Sequence, residues 1–213
     1  MAAAPIFDPA FIDTLDTLFA WRRDVRRFQT TPIPEALLNE ILDVAQIAPS
    51  VGNSQPWRWV SVESEQARAS IRANFNKANA EALGHYADEE ATAYARLKLA
   101  GLDAAPTQFA VFTDYGTLQG KKLGRLTMPE TLDYSTVGCI MTFWLAARAR
   151  GIGMGWLSIL DPEAIKTILK IPQDWHFVGY LCVGLPEEEH EDPELVRHGW
   201  QDRTGLGRKV TVR

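Results

Sequence analysis

Two periodicities alternate along this chain, and that alternation limits what it can fold into. Helical spacing of apolar residues gives way repeatedly to short β-prone runs. Asp8-Pro9 starts the first helix, with Asp8 as cap and Pro9 in the first turn; Phe11, Leu15, Leu18 and Phe19 form its apolar face, and it ends near Trp21 to Arg23. A second helix starts at Pro34-Glu35, carries Leu37, Leu38, Ile41, Leu42 and Ala45, and stops before Pro49. Weaker helical patterns cover residues 64–83 and 85–99. The strongest pattern is capped by Asp133 or Ser135, runs through Val137, Ile140, Met141, Trp144, Leu145 and Arg148, and ends at Gly151. Asp161-Pro162 starts the last one, through Ala164, Ile165, Ile168 and Leu169. Strands are expected over residues 57–62, 108–113, 155–160 and 177–184, with an irregular loop over 115–134.

Helices outweigh strands and the two types interleave, so the expected class is α+β, with helices covering a modest sheet. The 213 residues suffice for one domain with a real core, and 46% hydrophobic with 23% charged residues is the balance of a globular enzyme. Residues 1–8 are read as a flexible N-terminus without a secretory leader pattern. The polar tail over 186–213, with Trp200 and Val210 as anchors, buries little on its own and is expected to pack on a partner subunit.

A net charge of −5 argues against a general nucleic-acid binder, and no apolar run is long enough to span a bilayer. Cys139 and Cys182 lie far apart in apolar stretches; they read as buried thiols in a reducing cytoplasm. The four histidines show no metal-ligand spacing. Gly151-Ile152-Gly153-Met154-Gly155 is not a dinucleotide fingerprint, because a helix precedes it and a strand follows.

Two segments can carry chemistry. The stretch from Arg22 to Arg27 packs four arginines into six positions around Asp24 and Val25, at the end of a helix. Guanidinium forks converging there suit an anion such as phosphate; taken alone, a solvated basic patch is an equal reading. Ala48-Pro49-Ser50-Val51-Gly52-Asn53-Ser54-Gln55-Pro56-Trp57 joins a helix to a strand. Ser50, Asn53 and Gln55 offer donors and acceptors to a heteroaromatic edge, and Gly52 allows close backbone approach; a plain connecting loop is the simpler reading on composition.

Taken together, Arg-Arg-x-Val-Arg followed by Ala-Pro-Ser-x-x-Asn-x-Gln-Pro-Trp resembles the nitroreductase family. Within that family, three segments resemble the 5,6-dimethylbenzimidazole synthases. They are Arg22-Arg23-Asp24-Val25-Arg26, Thr127-Met128-Pro129-Glu130-Thr131-Leu132-Asp133-Tyr134-Ser135 and Gly155-Trp156-Leu157-Ser158-Ile159-Leu160-Asp161-Pro162. Asn53 instead is typical of ordinary nitroreductases.

The resemblance implies a single nitroreductase-like domain over residues 1–213, helices around a central mixed sheet, and a homodimer with FMN sites between its subunits. Arg22, Arg23 and Arg26, with Val25 among them, match positions that hold the flavin phosphate and pyrimidine side, and Arg203 matches a second phosphate-binding arginine. Ser50, Gly52 and Gln55 match the ring-binding loop, and Leu99 a segment that meets the cofactor. Asp24 and Ser158 match a polar pair near the flavin and are the catalytic candidates.

The implied reaction is the oxygen-dependent fragmentation of reduced FMN to 5,6-dimethylbenzimidazole, the lower ligand of cobalamin, and D-erythrose 4-phosphate. FMN is then a substrate, molecular oxygen its co-substrate, and a separate NAD(P)H-dependent flavin reductase the source of reduced FMN. The rival readings are an NAD(P)H-dependent nitroreductase or quinone reductase that keeps its flavin, and a non-catalytic flavin-binding protein.

Overall fold

The computed structural model describes residues 3–97, 101–205, 207 and 209–213. Leu99 lies outside the described residues. Seven α-helices and four strands follow in the order α1 (Pro9–Trp21), α2 (Glu35–Ala45), β1 (Trp57–Ser61), α3 (Glu65–Leu83), α4 (Asp88–Arg96), β2 (Thr107–Asp114), α5 (Thr131–Arg148), β3 (Gly153–Leu157), α6 (Pro162–Leu169), β4 (Trp175–Gly184) and α7 (Glu194–Arg197).

Local chemistry sets several of these boundaries. The Asp8 carboxylate accepts from the Phe11 N–H at 2.8 Å, Ser64 caps α3, and Asp161 accepts from Glu163 and Ala164 at the start of α6. The start of α5 differs from expectation. Glu130 takes the cap position without a side-chain bond, one turn before Ser135. Asp133 caps nothing, because its carboxylate is taken by the Tyr115 hydroxyl at 2.7 Å and by His176 Nδ1 at 3.1 Å.

The sheet order is β1-β2-β4-β3 and every pairing is antiparallel, where a mixed sheet was expected. The parallel element is one isolated bridge, Asp24 to Met154, beside β3. β3 begins and ends earlier than its sequence pattern suggests. Its ladder to β4 runs from Gly153↔Gly184 to Leu157↔Tyr180, and the chain then turns toward the Asp161 cap.

The two central strands are buried on both faces, which is why they read as continuous apolar runs. Their side chains alternate between two cores. Phe109, Val111, Leu181 and Val183 pack against Ile41 and Ala45 of α2 and against Cys139, Ile140, Phe143 and Ala147 of α5. Ala110, Phe112, Tyr180 and Cys182 pack against Ile71 and Phe75 of α3 and Ile165 of α6. Buried polar groups are satisfied at the centre: the Tyr180 hydroxyl donates to Gln108 at 2.7 Å, and the Gln108 amide donates to the Leu102 carbonyl at 2.9 Å. Trp57 belongs to the core, its indole N–H bonded to Gln46 at 2.8 Å.

The first half of the tail packs on its own chain. Glu187 N–H donates to the Arg27 carbonyl at 3.1 Å, and Trp200 sits edge-on to Tyr86 and Tyr94. This polar segment needs little apolar burial because arginines neutralise its acids. Residues 201–205 and Val210 are exposed, so Val210 anchors nothing within the chain. Both cysteines are free and buried, and burial pushes the Cys139 thiol up to about 12. Among the described residues, no helix is long and apolar enough to cross a membrane.

Phe143 is fully buried, tilted on Trp59 at 5.0 Å and edge-on to Phe109 at 6.2 Å. Phe143→Ala is expected to lower the unfolding free energy by roughly 3–5 kcal/mol in urea titrations, the cost of a large cavity in a well-packed core.

Candidate functional site

The arginine segment is an extended strip laid along β3. Helix α1 ends because Arg22 turns extended (φ −72°, ψ 108°) at its C-cap. The chain then bonds β3 at two points: the Val25 N–H donates to the Met154 carbonyl at 3.0 Å, and the Trp156 N–H donates to Asp24 Oδ1 at 2.9 Å. Small residues make room for this contact. A Cβ on Gly155 would stand 2.3 Å from the Val25 carbonyl oxygen, and one on Gly153 would stand 2.8 Å from a Val25 methyl. Gly153 and Gly155, just after the helix stop at Gly151, thus have a role of their own, because a side chain at either would collide with the Val25 stretch.

Carboxylates and guanidiniums then sort into two sets. Arg26 Nε donates to Asp24 Oδ2 at 3.0 Å and lies 3.8 Å from Glu194. Arg27 pairs with Glu188 at 2.6 Å and lies 3.8 Å from Glu194. Arg22, Arg23 and Arg203 have no carboxylate within 4.0 Å among the described residues. The Arg22 guanidinium lies over the Trp144 ring, 4.5 Å from its centroid. Arg23 donates to the backbone carbonyls of Glu191 and Arg22. Partial burial, with the Arg203 charge adding to it, lowers the pKa of both Arg22 and Arg23, against an opposing pull from Asp24 on Arg22. Asp24 offsets part of the Arg22 charge, and Glu191 and Asp192 part of the Arg23 charge, from beyond ion-pair distance.

Asp24 sits at the base of this cluster. Crowding by protein atoms raises its carboxyl above the usual range, and the Trp156 N–H and Arg26 oppose that rise. About a third of its side-chain surface (34%) is still open. Partial desolvation with continued access is the setting in which a carboxyl can exchange a proton with a bound molecule. The surrounding cleft is lined by Arg23, Asp24, Arg26, Arg148, Glu189 and Glu194.

The second segment forms a rigid loop elsewhere on the chain. Ser50 Oγ accepts from the Gln55 N–H at 3.0 Å, and Ser135 Oγ accepts from the Val51 N–H at 3.0 Å. Gln119 donates to the Asn53 carbonyl at 2.8 Å and to the Gln55 side chain at 3.0 Å. Gly52, at φ +57°, lies so close to Gly120 that a Cβ would stand 2.9 Å from its carbonyl oxygen. Asn53 and Gln55 also hold positive φ, at 55° and 44°. Non-glycine residues keep that conformation only where surrounding contacts impose it.

Arg22, Arg23, Asp24, Val25 and Arg26 are thus brought together, with Arg203 close enough for its charge to be felt. Ser50, Gly52 and Gln55 form a separate group, and Gly52 lines a different cavity with Gln119 and Leu123. Ser158 is exposed and lies just beyond β3, two residues after the Trp156 N–H that holds Asp24; it is not the strand residue its pattern suggested. Sequence reasoning passed over Glu188, Glu189 and Glu194, which pair with Arg27, Arg148 and Arg26. The signal was present as charge complementarity between residues 187–194 and 22–27. It also passed over Gln119 and Ser135, which brace the second loop.

The nitroreductase family model matches residues 19–185. The chain belongs to the nitroreductase family. It is 54% identical over 203 residues to a 5,6-dimethylbenzimidazole synthase of Rhodospirillum rubrum, covering 95% of this chain and 96% of that one. It is 49% identical to a 5,6-dimethylbenzimidazole synthase of Rhodobacter capsulatus, covering 92% and 95%. Among solved structures, iodotyrosine deiodinase bound to FMN and 3-iodo-L-tyrosine shares the fold, with a TM-score of 0.72 at 23% identity over 93% of this chain and 97% of that one.

Within this family fold, the docking of the arginine segment on β3 leaves no room for a methyl group at Gly155. Gly155→Ala is expected to cost about 1–3 kcal/mol, as overpacking does. The loss should appear in thermal melts together with weakened flavin binding, because Asp24 and Arg22 move with the segment.

Proposed function

We propose that this chain is a 5,6-dimethylbenzimidazole synthase that fragments reduced FMN with molecular oxygen. The observation that carries the reading is Asp24, a crowded and accessible carboxylate at the base of an arginine cluster, in a chain 46–54% identical to named synthases over more than nine-tenths of its length.

The residues present fit FMN. Arg22, Arg23 and Arg203 supply positive charge in want of an anion, and their planar forks match phosphate oxygens. The Trp144 ring holds the Arg22 fork in place. Ser50, Gly52 and Gln55 stand in a braced loop that can read a ring edge. Reduced FMN supplies the electrons that oxygen takes up and the carbon skeleton of the product. Asp24 holds or moves the proton. Ser158 contributes a hydroxyl near it, and Val25 fixes the backbone between Asp24 and Arg26.

The working unit is a homodimer. Within one chain the arginine cleft and the ring-reading loop line separate cavities, so a site that uses both draws them from two copies. Phe11, Phe19, Tyr134 and Val137 lie exposed on α1 and α5, which suits burial against a second copy. The exposed residues 201–205, 207 and 209–213 at the end of the tail reach toward that partner. The protein works in the cytoplasm, supplied with reduced FMN by a separate NAD(P)H-dependent flavin reductase.

The decisive experiment supplies chemically reduced FMN and air to the pure protein and identifies products by mass. Formation of 5,6-dimethylbenzimidazole is expected. Steady NADPH oxidation with a nitroaromatic acceptor, and FMN recovered intact, would replace this reading with a nitroreductase. Asp24→Asn is expected to keep flavin binding and abolish product; a normal rate would remove Asp24 from the chemistry. Arg23→Ala is expected to weaken FMN binding about 10- to 100-fold, the worth of a charge-assisted hydrogen bond, while leaving riboflavin affinity nearly unchanged in fluorescence titrations.

A further inference from the structure

One buried carboxylate beside the site has no part in the reading above. Glu194 opens α7 with only 8% of its side chain exposed. Its Oε1 is buried and makes no hydrogen bond among the described residues, although Arg27 lies 3.8 Å and His198 Nε2 3.5 Å from it. Its Oε2 lies 3.8 Å from Arg26 Nε, the same nitrogen that bonds Asp24 at 3.0 Å. One guanidinium edge therefore stands between two carboxylates.

We propose that Glu194 is a positioning residue for Asp24, fixing where Arg26 sits and limiting how far that guanidinium neutralises the Asp24 carboxylate. The inference rests on Asp24 being the proton carrier. A buried charge must be matched by its neighbours, so Arg26 and Arg27 are drawn toward Glu194 as well as toward their other partners. Arg26 shared in this way gives Asp24 less than a full counter-charge, and the Glu194 charge repels any negative charge on Asp24 directly.

The groups that bear on Asp24 are few. Arg22 and Arg26 come from its own segment, the Trp156 N–H from β3, Cys182 from β4 and Glu194 from α7. Burial raises Asp24 first; Glu194 acts in the same direction, and Trp156 and Arg26 act against it. Glu194 in turn faces Asp24, Arg26, Arg27 and His198. His198 is 41% exposed and links this buried carboxylate to solvent.

The test uses the full chain as wild type, E194Q, E194D and D24N. The Asp24 carboxyl is followed by carbon-13 NMR of aspartate-labelled, flavin-free protein, with D24N identifying its resonance. The same proteins are assayed for product from chemically reduced FMN in air across pH. In E194Q the Asp24 midpoint is expected at lower pH. The limb of the wild-type pH profile whose midpoint coincides with that of the Asp24 resonance should move the same way, changing the rate at a fixed pH on that limb by roughly threefold to tenfold. E194D, which restores the charge, should return both toward wild type. E194Q keeps the side chain's volume, and an unchanged circular dichroism spectrum verifies its fold. An Asp24 midpoint identical in wild type and folded E194Q overturns the proposal, even where D24N is inactive. A fully active D24N instead overturns the role of Asp24 and, with it, the purpose assigned to Glu194.

Discussion

The bond from the Trp156 N–H to the Asp24 carboxylate is the contact on which the site depends. It ties a segment that has just left α1 to the edge strand of the sheet. Much of the charge in the cleft hangs from that strip: Arg22 over Trp144, Arg23 beside the tail, Arg26 between two acids. The strip can lie there because Gly153 and Gly155 leave β3 bare on that side. A rigid, doubly covered sheet thus serves as the base against which a short loop is held to within hydrogen-bond tolerance.

The same bond sets the chemistry of Asp24. A carboxylate against a strand edge loses water, which favours its neutral form; a backbone N–H and a guanidinium restore part of the charged form's stability. The balance of these opposing effects, rather than any one of them, sets the direction in which the Asp24 carboxyl is shifted. Around it, the acidic run over 187–194 neutralises Arg26, Arg27 and Arg148. Arg22 and Arg23 instead meet a tryptophan ring and backbone carbonyls, with Glu191 and Asp192 acting on Arg23 only from a distance.

The fold was legible where a single local rule decides the outcome. Asp8, Ser64 and Asp161 announce their helices because a short polar side chain before an apolar run satisfies the first free N–H groups. The strands β2 and β4 announce themselves because strands covered on both faces have no polar alternation. Boundaries failed where a tertiary partner competed. Asp133 had the composition of a cap, but Tyr115 and His176 claim its carboxylate, so α5 starts earlier. Ser158 looked like a strand residue, yet the ladder to β4 ends at Leu157.

What the sequence determined by itself was the class of the fold, the clustering of four arginines around Asp24, and the family to which the chain belongs. These follow from residue type and local spacing, which a linear string records in full. Only the tertiary structure decided which arginines are neutralised, why Gly153 and Gly155 must lack side chains, and that Glu194 shares Arg26 with Asp24. Those outcomes depend on distances between segments far apart along the chain, 168 residues in the case of Arg26 and Glu194. Electrostatic pairing and steric exclusion act over a few ångströms of space, whatever the separation along the chain.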